Sequence, residues 1–126
     1  MTEEQKSVAI IGASTDRSKY GNKSVRAHLK RGWKVFPINP KETEIEGIKA
    51  YKSVLDVPEK IDRISVYLPP QVSINLLDDF KKTGATEVFF NPGAESEALL
   101  AKAYEKGLPA AAACSIIDLG DSADNY

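Results

Sequence analysis

The chain has 126 residues, 42% of them hydrophobic and 28% charged, with a formal net charge of −1. That length suffices for one domain with a real core, and the balanced charge supplies no basic field for nucleic acid. No apolar run approaches a membrane span, the polar segment from Met1 to Lys6 is too short for a signal peptide, and one cysteine with one histidine provides neither a disulfide framework nor a protein-only metal site.

Residues 7–12 read as a buried strand, Val8-Ala9-Ile10-Ile11, that runs into Gly12-Ala13-Ser14. Polar and basic residues follow (Asp16, Arg17, Lys19), and Gly21 opens a predicted helix over 21–31. A strand, a glycine turn and a helix N-terminus in that order hold phosphate in nucleotide-binding α/β domains. Gly12 has no Cβ, so a diphosphate could approach its backbone. Ser14 stands where the dinucleotide fingerprint has its second glycine, which argues against a standard NAD loop.

Three segments end alike, in Lys30-Arg31-Gly32, Lys81-Lys82-Thr83-Gly84 and Glu105-Lys106-Gly107. Basic residues complement a helix C-terminus and glycine supplies its left-handed cap, so each is read as a helix stop. Strands are predicted after them, at 33–38, 86–90 and 109–113. Between the second and third strands a short helical turn fits 53–57. The third strand, 61–68, alternates Ile64, Val66 and Leu68 with Tyr67 opposite, and Pro69-Pro70 ends it.

A helix over 71–82 follows, with Val72, Leu76, Leu77 and Phe80 on one core face. The last predicted helix, 96–106, turns Ala98, Leu99, Leu100 and Ala103 inward, with Glu95 expected at its cap. His28, mid-helix, is read as a surface or packing residue. Alternation of this kind predicts a single Rossmann-like, doubly wound α/β domain over 1–126, its core at about 7–119. The sheet should be mainly parallel and five-stranded, with helices on both faces. The acidic tail, 120–126, is expected to be partly disordered.

In such a sheet a ligand sits beyond the carboxyl ends of the strands, so the residues after each strand carry the site. They are Gly12, Ala13, Ser14, Arg17, Lys19, Tyr20 and Gly21; Asn39, Pro40 and Lys41; Pro69 and Pro70; Asn91 and Gly93; and Cys114 with Ser115. An NAD domain places an acid after the second strand to bind the ribose hydroxyls. Here Ile38-Asn39-Pro40-Lys41 puts a lysine there, which favours an additional phosphate, as in NADP or coenzyme A.

Taken together, these motifs resemble those of the CoA-binding domain family, similar to the N-terminal, nucleotide-binding half of the succinyl-CoA synthetase alpha subunit. The likeness runs from about Ser7 to Leu119. It is carried by Val8 to Ser14, Lys19-Tyr20-Gly21, Pro37 to Lys41, Leu68-Pro69-Pro70, Asn91-Pro92-Gly93-Ala94 and Cys114. The resemblance implies that the Gly12–Ser14 loop and Lys19 hold the pyrophosphate, that Lys41 stands near phosphate or ribose, and that Leu68-Pro69-Pro70 line the adenine pocket. The synthetases continue into a second domain with a phosphorylated histidine, for which this chain has no counterpart, so ligase activity is not carried over.

The loops assemble no nucleophile–base pair, no carboxylate pair and no metal constellation. The expectation is a cytoplasmic module that binds coenzyme A or an acyl-CoA without catalysis of its own. The rivals are an NADP-type oxidoreductase fragment and a CoA-ligase subunit completed by a separate chain. A protein partner or a homodimer stays open. Cys114, at the end of the last strand, is read as an inert packed thiol, against the rival of a mixed disulfide with the CoA thiol.

Overall fold

Alternation of short apolar runs with capped helical segments produces the predicted layers. The computed structural model describes residues 5–126; residues 1–4, the start of the polar N-terminal segment, lie outside the described residues. In chain order the elements are β1 (Ser7–Ile11), α1 (Tyr20–Lys30), β2 (Lys34–Ile38), β3 (Glu44–Ile45), β4 (Ile48–Lys49) and a 3-10 turn (Val54–Asp56). There follow β5 (Arg63–Val66), α2 (Pro70–Ser73), α3 (Leu77–Lys82), β6 (Glu87–Phe90), α4 (Glu97–Glu105), β7 (Ala110–Ala112), α5 (Ser115–Asp118) and a last 3-10 turn (Ala123–Asn125).

The main sheet has five strands in the order β2-β1-β5-β6-β7, all paired in parallel. The chain runs outward from β1 to β2, then crosses back to lay β5 on the other side of β1. The switch in strand order therefore falls at the carboxyl ends of β1 and β5, where ligands bind in doubly wound sheets.

Side chains alternate across the sheet and feed two cores. Ala9, Ile11, Phe36, Ile38, Ile64, Val66, Val88 and Phe90 meet Val54, Leu77, Phe80, Leu99 and Ala103 on one face. Val8, Ile10 and Val35 meet Val25 of α1 and Ile45 of the β3–β4 hairpin on the other. The glycines read as helix stops adopt left-handed backbone, with φ of +81° at Gly32, +71° at Gly84 and +78° at Gly107.

Several expectations are corrected. The helix predicted over 71–82 is two short helices. Between them Asn75 N–H donates to the Val72 carbonyl and Leu76 N–H to that of Ser73, tight i to i+3 bonds that reorient the chain. Val72, Ser73, Ile74 and Asn75 are all modest helix formers. Leu77 and Phe80 stay in the core, but Val72 is exposed rather than buried. Ala98 is likewise exposed.

The α4 cap is Ser96, whose hydroxyl accepts from Leu99 N–H; Glu95 instead accepts from Gly93 N–H. The β3–β4 hairpin was not predicted. Its tight turn has positive φ at both Glu46 (+51°) and Gly47 (+77°). The tail is ordered: Tyr126 donates to Asp121, Asp121 pairs with Arg31, and Arg26 and Lys30 lie over the Tyr126 ring.

His28 is a packing residue, fully buried. Its Nδ1–H donates to the Ser24 carbonyl at 2.8 Å, which leaves Nε2 to accept from the Arg63 guanidinium at 3.3 Å. Arg63 itself is buried between Trp33 and Phe89 and bonded to Glu87 and Asp118. Desolvation first, and the neighbouring Arg63 charge, lower the His28 pKa from 6.5 to about 4.

The unfolded chain therefore takes up a proton that the native chain refuses between those two values. Stability should fall by about 3 kcal/mol as pH drops from 6.5 to 4, and no further on this account below it. Urea titrations at stepped pH should show this slope, reduced in His28→Gln; an equal slope in that variant would rule His28 out as its source.

Candidate functional site

The carboxyl ends of β1, β2 and β5 open into a cavity of about 920 Å³. One wall is the segment after β1 and the start of α1: Gly12, Ala13, Ser14, Ser18, Lys19, Tyr20 and Gly21. The local fold of this wall follows from two glycines. Gly12 has φ +87° and lies 3.1 Å, measured from a built Cβ, from the Leu68 side chain. At Gly21 a Cβ would overlap the Gly12 carbonyl oxygen outright and lie 3.2 Å from its carbon. The first turn of α1 thus sits directly on the loop, the close helix–strand approach that the last glycine of a dinucleotide fingerprint provides.

Two asparagines then fix the loop. Asn39 donates to the Ala13 carbonyl at 2.8 Å, and Asn22 to the Ser14 carbonyl at 2.9 Å. Asn22 is held in turn by Arg26 and by Glu46 of the hairpin. With these carbonyls tied back, the amides are left over: among the described residues no hydrogen bond takes up the N–H of Ala13, Ser14, Tyr20 or Gly21. No side chain caps α1 and its first turn holds no acid. Free amides at a helix N-terminus, with Lys19 beside them, give this wall a positive potential.

The remaining wall is mostly apolar: Ile11, Ile38, Val54, Leu68, Val72, Leu76, Phe80, Pro92 and Ala94, with Tyr67, Lys52, Ser53 and Asp79. The Tyr67 hydroxyl is buried and makes no well-formed hydrogen bond, although Ser24, Ser65 and Ser115 stand beside it. Burial raises its pKa, so it is a neutral phenol. Among the described residues no cluster of His, Cys, Asp and Glu could hold a metal ion, and no helix is long and apolar enough to cross a membrane.

Of the residues singled out by sequence, the structure brings Gly12, Ala13, Ser14, Lys19, Tyr20, Gly21, Asn39, Pro40, Leu68 and Gly93 to the cavity. It does not bring Arg17, Lys41, Pro69, Pro70 or Asn91. Arg17 pairs with Glu46 at 3.4 Å. The Lys41 side chain is exposed beyond the wall. Pro69 and Pro70 start α2. Asn91 is buried structure: it donates to Ser65 Oγ and the Val66 carbonyl, and its Oδ1 accepts from Ser115 N–H. Cys114 is half-buried at the start of α5 and off the wall.

Lys52, Ser53, Tyr67, Val72, Leu76 and Asp79 were missed as site residues. Tyr67 was legible, since its place opposite Val66 and Leu68 at a strand end aims it at the crevice. Val72 and Leu76 were hidden by reading one continuous helix.

Fold and wall together define a Rossmann-like α/β domain with a glycine loop and unpartnered amides at its crevice. Residues 6–120 match the family model described as a CoA binding domain, and the chain belongs to that family. Among curated relatives, the ADP-forming acetate–CoA ligase of Methanocaldococcus jannaschii is 46% identical over 79 residues, 63% of this chain and 11% of that protein. The chain thus spans about a ninth of that relative's length. An uncharacterized Bacillus subtilis protein, YneT, is 24% identical over 105 residues, 83% of this chain and 78% of its own. A solved structure of a hypothetical protein from Pyrococcus horikoshii superposes with a TM-score of 0.83 at 31% identity, over 91% of this chain and 81% of that one.

The contact of α1 with the loop has a direct test. Gly21→Ala should cost about 2–3 kcal/mol or more, because the methyl meets backbone that cannot swing aside. Gly32→Ala, which meets nothing within 4 Å and pays only for its left-handed φ, should cost about 1–2 kcal/mol. Denaturant midpoints that rank the two variants the other way would show that the helix can shift off the loop cheaply.

Proposed function

We propose that this chain binds coenzyme A or an acyl-CoA in the crevice at the carboxyl end of its sheet, as a module without catalysis of its own. One observation carries the reading: unpartnered loop and helix amides with Lys19 stand at one side of a 920 Å³ cavity whose remaining wall is mainly apolar, in a member of the CoA binding domain family. The pyrophosphate would lie on the amides of Ala13, Ser14, Tyr20 and Gly21 with Lys19 as its counter-charge. The adenosine would lie against Leu68, Val72 and Leu76, and the acyl group, where present, would extend toward solvent. The wall offers no His or Cys to act on a thioester.

A second reading is supported by the relatives. An ADP-forming acetate–CoA ligase of Pyrococcus furiosus has a separately named alpha subunit, 44% identical over 64 residues and seven times longer than the matched part. On that reading the chain would deliver CoA to a partner that holds the acyl and nucleotide chemistry. Copurification with a ligase subunit from the source cells would favour it.

In thermal melts coenzyme A should stabilise the protein and NAD should not, because Asn39-Pro40-Lys41, directly after β2, contains no acid. At about a hundred times its dissociation constant CoA should add about 2.7 kcal/mol. Lys19→Ala should weaken binding by about tenfold or more without changing the melting temperature of the free protein. Stabilisation by NAD with no response to CoA would reject the proposal.

A further inference from the structure

The sequence places the second cation of the site at Lys41, directly after β2. The fold presents a different one. From Lys41 the chain leaves the crevice, forms the β3–β4 hairpin and returns to the end of β2. There Tyr51 bridges Ile38: Tyr51 N–H donates to the Pro37 carbonyl, and Asn39 N–H donates to the Tyr51 carbonyl, both at 2.9 Å. Two residues later Ser53 caps the 3-10 turn, its hydroxyl accepting from Leu55 N–H at 3.1 Å. Lys52 is held between these two fixed points. Its backbone is therefore pinned at the carboxyl end of β2, and the residue lines the cavity.

Lys52 also differs from four of the protein's lysines in its neighbours. Lys34, Lys60, Lys102 and Lys106 each lie within 4 Å of a carboxylate. Among the described residues Lys52 has no such partner, and neither has Lys19. The cavity thus has two unneutralised cations on separate supports, Lys19 at the start of α1 and Lys52 at the end of β2. Asp79, on α3, is the wall's one carboxylate among the described residues and pairs with neither. A ligand that complements this wall carries two anionic groups joined by a part that suits an apolar surface.

We infer that Lys52 is the specificity-determining residue for a phosphomonoester on the ribose of the bound adenosine, the group that separates coenzyme A from dephospho-CoA. The inference rests on the CoA reading above. The same chemistry occurs in NADP, as a 2′-phosphate, so the test includes that ligand.

The test is calorimetric titration of the parent, Lys52→Ala, Lys52→Arg and Lys41→Ala proteins with CoA, dephospho-CoA and NADP. Lys52 is an exposed loop side chain, and unchanged melting temperatures will confirm that each variant is folded. The parent should prefer CoA over dephospho-CoA. Lys52→Ala should lose about tenfold or more in CoA affinity, keep its dephospho-CoA affinity within about twofold, and so lose the preference. Lys52→Arg should retain it, and Lys41→Ala should leave it intact. An undiminished preference in Lys52→Ala, or its loss in Lys41→Ala instead, would overturn the inference and leave CoA binding standing. A parent that binds NADP but not CoA, with the same dependence on Lys52, would keep the assignment of Lys52 and reject the CoA reading. A parent that binds none of the three would overturn both.

Discussion

The site depends on one steric fact: the first turn of α1 rests on the Gly12 carbonyl, in a space that only a glycine at position 21 leaves open. From that contact the rest follows. It sets the helix axis toward the crevice, so that the dipole and the free amides point at the same place. It forces the loop to be tight, which requires the positive φ at Gly12. It also brings Asn22 within reach of the Ser14 carbonyl, while Asn39 reaches the Ala13 carbonyl from β2. The row of free amides is made of backbone, and the side chains around it hold that backbone still.

The two faces of the sheet do different work. The face covered by α3, α4 and the 3-10 turn is apolar throughout and supplies the ordinary hydrophobic stabilisation. The face under α1 and α5 is apolar only near β1 and β2. Beneath it on β5 lie Arg63 and Ser65, with Tyr67 just beyond, and Ser24, His28, Asn91 and Ser115 meet them. Arg63 is satisfied by two carboxylates and two aromatic faces, so its burial is compensated. Ser65, Asn91 and Ser115 close a hydrogen-bonded triangle that ties β5, β6 and α5 together near the cavity. Asn91 therefore shapes the site from behind.

The strands and helices that carry strong periodicity or end in a basic–glycine stop were legible in the sequence. So was the glycine loop between β1 and α1, because strand, glycine and helix start are local signals. Three kinds of feature were not. The break between α2 and α3 depends on i to i+3 bonding over four weak helix formers, which a hydrophobic pattern does not register. The β3–β4 hairpin is too short to show alternation; its one signal is Glu46-Gly47 between two isoleucines. Lys52 and Asn91 owe their places in the fold to tertiary pairing. A lysine next to a strand end in sequence, Lys41, lost its place to one brought there by a bridge eleven residues later. A loop asparagine turned inward because its neighbours on β5 and α5 needed both its donor and its acceptor.

Pro37 has a further effect at the border of the sheet. Its carbonyl points outward from β2, where Tyr51 takes it, and on that same side a proline has no N–H to offer. At Pro37 the outer row of β2 therefore has its acceptor occupied and its donor missing. A strand from another molecule that tried to continue the sheet there would find an acceptor already used and a donor that does not exist. At this position the border of the parallel sheet is blocked to templated growth by one imino acid and one tyrosine amide.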